Sequence, residues 1–187
     1  MAPPVGSEDA LVTNHAPDLM PLDASDYSDL KGGLVRMLDR LQAEGTATKD
    51  RDVDQYLRDE PNAVLLGLLY DQRVLAETAF SGPYKLRQRL GHLDMEQIAE
   101  MDRDAFAGVF AESPAVHRFT NKMVDTTQAV ARIVAEQYDG DATRIWAEGD
   151  SKTVEKRVKA LPGFGPQKAA KLKFCLFYFG HRDLSEE

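Results

Sequence analysis

The chain has 187 residues, of which 43% are hydrophobic and 29% charged, a composition that excludes a wholly disordered polypeptide. The single cysteine, Cys175, excludes an internal disulfide and a four-cysteine zinc or iron–sulfur centre, so we expect no iron–sulfur cluster. The sequence has no apolar run of membrane-spanning length and does not open with a secretory signal. We therefore expect a soluble, cytoplasmic protein with no membrane partner.

The net charge of −8 is unevenly distributed along the chain. Residues 1–60 carry 6 Lys and Arg against 13 Asp and Glu, whereas residues 151–180 carry 7 Lys and Arg against Glu155 alone. A basic stretch within an acidic protein indicates a local surface for phosphate groups. A solvated helix face would have the same composition, so charge alone leaves both interpretations open.

The first segment, residues 1–27, contains four prolines and no sustained hydrophobic periodicity. This pattern predicts an extended or partly disordered lead-in. Residues 28–187 are predicted to form one helical domain. Its first helix begins after Ser28, where apolar residues recur at helical spacing, and can end at Gly45.

The next part of the chain contains its most apolar segment, residues 63–70. Asp50 or Asp52 can cap a short helix before it, and Pro61 suits a first helical turn. An apolar run this short also fits a buried strand, but the absence of hairpin partners favours a central helix. The dipeptide at 82–83, Gly-Pro, is expected to interrupt the helical pattern.

The remaining sequence predicts helices only. The predicted helices end at Gly91, start at Asp94, surround Phe106, and span 120–138, 151–160 and 166–180, with Trp146 in a short turn. Neither a credible strand pair nor a solenoid repeat occurs. The predicted fold class is therefore all-α.

One turn, residues 161–165 (Leu-Pro-Gly-Phe-Gly), separates the last two predicted helices. Pro162 cannot donate an amide, so the preceding helix ends there. Gly163 and Gly165 are expected to allow positive φ and to remove Cβ atoms that would block close approach. Leu161 and Phe164 are expected to pack inward and hold the two helices together.

The turn leads into a helix with Pro166 at its first position and unpaired amides facing outward. Such an arrangement suits a phosphate, because the amides donate and the helix dipole favours an anion. Lys168 and Lys171 lie just beyond and can add positive charge. The alternative is a tight turn between two helices with no ligand.

Residues 161–169 resemble the hairpin of the helix-hairpin-helix DNA glycosylase superfamily, whose members include endonuclease III and the adenine and alkyladenine glycosylases. Residues 63–72 resemble that superfamily's early core helix and the Gln-containing loop after it. Together with residues 79–84, they are similar to a small branch of actinobacterial type. The resemblance covers about residues 50–183 and implies an all-α, two-lobed helical bundle with a DNA cleft between the lobes.

This resemblance implies double-stranded DNA, including damaged DNA, as the partner of a monomeric, nucleoid-associated protein. The hairpin amides would hold a phosphate, often with a monovalent cation on the carbonyls of Leu161 and Gly163. No other cofactor is implied. Gln72 would fill the gap left by a flipped base. The implied DNA-contacting residues are Leu161, Gly163, Gly165, Gln167, Lys168, Lys171 and Gln72.

Hydrolysis of an N-glycosidic bond requires a carboxylate near the sugar. The resemblance implies Asp183 for this role, although it lies 20 positions after Gly163, somewhat earlier than in the superfamily. The alternative is that Asp183 is a frayed terminal residue. A second candidate is Asp71, an acid in an apolar neighbourhood, which can act in catalysis or instead cap a helix or pair with Arg73.

Lys168 is the candidate catalytic amine. Bifunctional members of the superfamily carry their lysine one position earlier, where this chain has Gln167. One residue rotates a helical side chain by about 100°, so we expect no strong lyase activity. The aromatic residues at 174 and 177–179 can line a base pocket, but core packing is favoured. The histidines lack metal-ligand spacing, so no catalytic metal is inferred.

The sequence thus predicts a base-excision repair protein, similar to a DNA glycosylase, that flips and hydrolyses a damaged or modified base. One alternative is a non-catalytic helix-hairpin-helix DNA-binding module. A second is a protein–protein adaptor that uses the acidic N-terminal surface.

Overall fold

The computed structural model describes residues 33–184, so the predicted lead-in of residues 1–27 lies outside the described residues. Between residues 33 and 184 the regular structure consists of helices and contains no strand, which confirms the all-α class. The helices are α1 (Gly33–Glu44), α2 (Arg51–Asp59), α3 (Pro61–Tyr70), α4 (Ala76–Leu90), α5 (Met95–Glu100), α6 (Arg103–Ala111), α7 (Thr120–Gln137), α8 (Thr143–Trp146), α9 (Ser151–Lys159) and α10 (Pro166–Tyr178). None of these described helices is both long and apolar enough to span a bilayer.

Helix α3 occupies the centre of the protein, and every residue from Asn62 to Tyr70 is buried. It is buried all round because apolar residues occur on every face of its sequence. Glu60 caps its first turn by accepting from the Asn62 amide, and Pro61 takes the first helical position as predicted. The segment is therefore a helix, and it packs against α2, α4 and α10.

Helix α4 runs without a break through Gly82 and Pro83, so the predicted interruption there is wrong. Both residues are buried, and Gly82 lies on the face that packs against α3. A Cβ atom at Gly82 would lie 2.8 Å from the Tyr70 ring, so the missing side chain permits this close contact. The burial of these two residues thus outweighs the loss of the backbone amide that Pro83 removes from the helix. The helix ends as predicted at Gly91, which adopts a left-handed conformation.

Helix α7 is the long amphipathic helix that the sequence predicts, and it packs against α5 and α6. Its buried positions include Thr127, whose hydroxyl lies 2.9 Å from the Tyr70 hydroxyl at the end of α3. This hydrogen bond joins the α5–α7 group to the central helix.

Helices α9 and α10 pack against each other, and α10 also packs against α3. The aromatic residues of the last helical segment are buried, which confirms the prediction of core packing; they are Phe174, Phe177, Tyr178 and Phe179. The N-terminal end of α10 is thereby brought close to the C-terminal end of α3.

The opposite end of α3 is held by the buried side chain of Asn62. Its amide nitrogen donates to the Gly140 carbonyl at 3.1 Å, and its oxygen accepts from the Ala142 amide at 2.8 Å. A single side chain therefore ties the start of α3 to the loop that follows α7.

We predict that Asn62→Ala lowers the free energy of unfolding by about 2 kcal/mol, because the buried amide of Ala142 loses its acceptor. Urea denaturation monitored by circular dichroism measures the change. Asn121→Ala, at an exposed position of α7, is the control and should change stability by less than about 0.5 kcal/mol. Equal effects in the two variants would contradict this role of Asn62.

Candidate functional site

The turn between α9 and α10 has the inward-facing apolar residues that the sequence predicts. Leu161 and Phe164 are 3% and 5% exposed, and the Phe164 amide donates to the Leu161 carbonyl at 3.2 Å. Gly163 has the predicted positive φ of 81°. Gly165 has φ −102°, so the prediction of positive φ is wrong for that residue. It forms the extended N-cap of α10, a conformation that any residue can adopt.

The two glycines have different surroundings. A Cβ atom at Gly163 would lie 2.6 Å from Cδ1 of Leu69 and 2.8 Å from Cγ2 of Thr126. A Cβ atom at Gly165 would meet no atom within 4 Å, because this exposed residue borders open space. Gly163 therefore lets the turn pack against α3 and α7, whereas Gly165 leaves the outer side of the turn uncovered.

The outer side of the turn presents the start of α10. The first amide to close a hydrogen bond there is that of Ala169, which donates to the Gly165 carbonyl at 3.0 Å. The amides of Gln167 and Lys168 precede this bond and have no intrahelical acceptor, as at any helix start. Since Gly165, Pro166 and Gln167 are exposed, this positive end of the helix dipole is open to solvent.

The carbonyls at the end of α3 face the start of α10. The Leu68 carbonyl accepts from the Asp71 amide at 3.2 Å, and the Tyr70 carbonyl accepts from the Gln72 amide at 2.7 Å. Arg73 follows with φ 57°, a left-handed conformation that is uncommon for a non-glycine residue. The chain therefore turns sharply after α3, and Gln72 in the loop of residues 71–75 comes within 3.4 Å of Lys168 in the first turn of α10.

Lys168 is buried, with 9% of its surface exposed. Its ammonium nitrogen Nζ donates to the Leu69 carbonyl at 2.6 Å and to Oε1 of Gln72 at 3.4 Å. The pKa of Lys168 is lowered to about 8, mainly by burial and also by the charges of Lys122 and Lys171, while the carboxylate of Asp71 opposes this shift. Lys168 thus contacts the end of α3, and its predicted roles in DNA contact and catalysis stay predictions.

Lys171 lies one helical turn beyond Lys168 and pairs with Asp71, at 3.5 Å between Nζ and Oδ2. The side chain of Asp71 is 8% exposed and that of Lys171 is 20% exposed. Asp71 therefore pairs with Lys171, whereas the sequence suggested Arg73 as its partner.

Five cations surround the end of α3, and we refer to them as the basic cluster: Arg73, Arg118, Lys122, Lys168 and Lys171. Arg118 donates to the Arg73 carbonyl at 3.4 Å, and its guanidinium lies 5.0 Å from the centre of the Phe119 ring. Lys122 acts electrostatically on Lys168 from the first turn of α7. Arg73, Arg118 and Lys122 are exposed, so the cluster gives an acidic protein a local positive surface.

The basic stretch of residues 151–180 does not form a single surface. Arg157 donates to the carbonyls of Ile145 at 2.9 Å and Glu148 at 2.7 Å, so it ties α9 to the segment before it. Lys159 pairs with Glu155 at 3.9 Å, whereas Lys152 is exposed near the start of α9, away from the turn. Only part of the predicted charge therefore lies at the turn.

His117 also contacts the end of α3, and it is 1% exposed. Its Nδ1 accepts from the Phe119 amide at 3.0 Å, so Nε2 carries the proton and donates to the Tyr70 carbonyl at 2.9 Å. Burial lowers the pKa of His117, and the charges of Lys168 and Arg118 lower it further, while the Tyr70 hydrogen bond works against them. The imidazole is therefore held neutral.

Asp183 is exposed and follows the C-terminal end of α10, whereas the turn of residues 161–165 precedes its N-terminal end. A helix of 13 residues spans roughly 20 Å. The neighbouring Arg182 donates to the carbonyls of Trp146 at 2.5 Å and Gly149 at 2.6 Å, just before α9 begins. The structure therefore does not bring Asp183 together with the turn, and its catalytic role stays a prediction.

The monovalent cation that the resemblance implies would use backbone carbonyl oxygens, which are suitable donors for alkali cations. The Leu161 oxygen accepts one hydrogen bond and keeps a second lone pair, and the cation stays a prediction. Within residues 33–184, no three His, Cys, Asp or Glu side chains are grouped to hold a metal ion.

Sequence reasoning missed the residues that α7 and the segment before it contribute, namely His117, Arg118, Lys122 and Thr126. They carry no local motif, and they reach the site only because α7 packs beside the end of α3. A scan of protein-family profiles gives no match to the chain, and a search of curated proteins gives none either.

We predict that Gly163→Ala lowers the free energy of unfolding by about 1–3 kcal/mol, because alanine disfavours positive φ and its Cβ would crowd Leu69 and Thr126. Gly165→Ala should leave stability unchanged or raise it by up to about 1 kcal/mol, since its φ is compatible with alanine. Urea denaturation of the two variants provides the comparison. A Gly163→Ala variant as stable as the wild type would contradict this packing.

We predict that the protein loses stability between pH 7 and pH 5 in part through His117. The unfolded histidine takes up a proton near its ordinary pKa of about 6.5, whereas the folded imidazole resists protonation. Its stabilising contribution is thus present above that pH and is lost as the pH falls through the folded pKa. His117→Gln should show a smaller acid-induced loss in urea denaturation, and an identical loss would refute the assignment.

Proposed function

We propose that this chain binds duplex DNA, including damaged duplex, by holding a backbone phosphate at the turn of residues 161–165, and that it acts as a DNA glycosylase-like protein of base-excision repair. The supporting observation is an uncovered helix start, with Gly165 bordering open space, beside the basic cluster of an otherwise acidic protein. The resemblance of the turn to the hairpin of the DNA glycosylase superfamily is the reason for proposing DNA rather than another ligand that contains phosphate.

A phosphate at this position would accept from the amides of Gln167 and Lys168 at the positive end of the α10 dipole. Lys122 is exposed and Lys171 is partly exposed, so both can approach the same anion. In this proposal α9, the turn and α10 form the helix-hairpin-helix motif of a two-lobed bundle. The DNA would lie against the turn, the start of α7 and the loop of residues 71–75.

The catalytic part of the proposal concerns a carboxylate. Hydrolysis breaks the bond between the base nitrogen and C1′ of the sugar, forms a bond from water to C1′, and releases the protonated base. A carboxylate must stand close to that carbon to activate the water or stabilise the cationic sugar. Asp71 lies beside the basic cluster but is paired with Lys171, whereas Asp183 lies past the other end of α10.

The position of Asp183 favours a second candidate function, a non-catalytic DNA-binding module that uses the same turn. Such a module would bind an exposed or damaged site tightly without releasing a base. The two candidates share the phosphate contact and differ only in turnover.

We predict that the protein binds a fluorescent duplex with an abasic-site analogue more tightly than an undamaged duplex, and that both affinities fall as salt rises. Gly165→Ala should weaken binding at least about tenfold, because its methyl group would stand where the phosphate approaches and would cost a charge-assisted hydrogen bond. Fluorescence anisotropy across a salt series measures both effects. The variant is informative because its added Cβ meets no protein atom.

Lys152→Ala is the matched control, since Lys152 is exposed and lies away from the turn; it should change affinity by about twofold or less. Normal binding by folded Gly165→Ala would refute the phosphate site. Absent or salt-insensitive binding would favour the protein–protein adaptor instead.

Base release from a panel of lesion duplexes separates the enzyme from the non-catalytic module. Release that is abolished by Asp71→Asn or by Asp183→Asn identifies the carboxylate. Tight binding without release from any lesion establishes the module.

A further inference from the structure

The ammonium group of Lys168 connects two parts of the proposed DNA-binding surface. Lys168 is the third residue of α10, so its backbone belongs to the helix start that would hold the phosphate. Its side chain points inward to the Leu69 carbonyl, at 2.6 Å, and to Oε1 of Gln72, at 3.4 Å. Gln72 lies 96 positions earlier in the chain, in the loop after α3.

This position favours a protonated lysine in spite of its burial. The C-terminal end of α3 is the negative end of a helix dipole, which stabilises a cation placed on its last carbonyls. The charged groups that face the ammonium are Asp71 in the loop, Lys122 on α7 and Lys171 on α10. His117, from the segment before α7, is neutral and occupies the adjacent Tyr70 carbonyl.

We propose that Lys168 is a positioning residue that holds the Gln72 side chain at a fixed place beside the turn of residues 161–165, and that it does not supply a nucleophilic amine. This inference rests on the proposed function, because it assigns Gln72 to the recognition of a site that lacks its base. The phosphate contact and the Gln72 contact then form one rigid unit, joined through a single side chain.

The contacts of Lys168 argue against a nucleophilic role. An attacking amine must be deprotonated and must direct its lone pair at the sugar carbon. The Lys168 nitrogen instead donates to two oxygen acceptors, and only 9% of the residue is exposed. Attack would require both hydrogen bonds to break and the ammonium group to move away from the C-terminal end of α3.

The first experiment compares abasic and undamaged duplex binding for Lys168→Met, Lys168→Arg, Gln72→Ala and the double variant of Lys168→Met with Gln72→Ala. Lys168→Met should lower the ratio of abasic to undamaged affinity about fivefold, the loss expected for one hydrogen-bonded contact. Lys168→Arg should retain the ratio, because its guanidinium can donate to both oxygens. The double variant should lose no more than Gln72→Ala alone, since both substitutions remove one coupled contact.

Lys173→Met is the control for charge, because Lys173 is on the same helix and its ammonium lies over the Phe174 ring at 5.2 Å. It should leave the ratio unchanged. A folded Lys168→Met variant with the wild-type ratio, or additive losses in the double variant, would overturn the inference.

A second measurement does not depend on DNA. Arg73 is exposed in the loop that Lys168 holds, so trypsin cleavage after Arg73 reports how often the loop opens. Cleavage should be faster in Lys168→Met and unchanged in Lys168→Arg and Lys173→Met. Equal cleavage rates in all variants would overturn the contact itself, whatever the protein binds.

Borohydride trapping on abasic DNA tests the inference that Lys168 does not supply a nucleophilic amine. We expect no trapped adduct at Lys168 near neutral pH, and an adduct that Lys168→Met removes would overturn the positioning role. Failure of the proposed function has a different signature, because the wild type would then show no abasic preference while the trypsin result still held.

Discussion

The burial of α3 imposes the constraint on which the candidate site depends. A helix that ends inside a protein leaves its last carbonyls without intrahelical donors, and other protein groups must satisfy them. Here the Leu68 carbonyl accepts from the loop, the Leu69 carbonyl accepts from Lys168, and the Tyr70 carbonyl accepts from the loop and from His117. This requirement brings the start of α10, the segment before α7 and the loop of residues 71–75 to one place.

The same requirement shapes the electrostatics of the site. An ammonium group at the end of α3 satisfies a carbonyl and meets the negative end of a helix dipole, but its burial disfavours the charge and lowers its pKa. The carboxylate of Asp71 opposes that shift, and Lys171 pairs with the carboxylate in turn. Structural cations and the proposed phosphate surface are therefore adjacent, with Lys168 facing inward and Lys122 and Arg118 facing solvent.

Gly163 and Gly165 have different roles, and the difference follows from what surrounds each of them. A Cβ atom at Gly163 would collide with Leu69 and Thr126, so its missing side chain allows the turn to approach α3 and α7. Gly165 has open space beside it, so its missing side chain leaves the helix start accessible to a ligand. Gly163 therefore matters for folding and Gly165 for the proposed binding, a difference that is not visible in the Gly-Phe-Gly sequence.

The all-α class, most helix boundaries and the turn of residues 161–165 follow from the amino-acid sequence alone, because periodicity, caps and Gly-Pro patterns act locally. The helix predicted over 166–180 and α10 (Pro166–Tyr178) agree closely for this reason. The local pattern was misleading at Gly82 and Pro83, where burial outweighs a helix-breaking signal. Only the tertiary structure placed His117, Arg118 and Lys122 around the end of α3, turned Lys168 inward and separated Asp183 from the turn. These placements arise from contacts between residues far apart in sequence, and local patterns carry no information on which distant helix will need a donor.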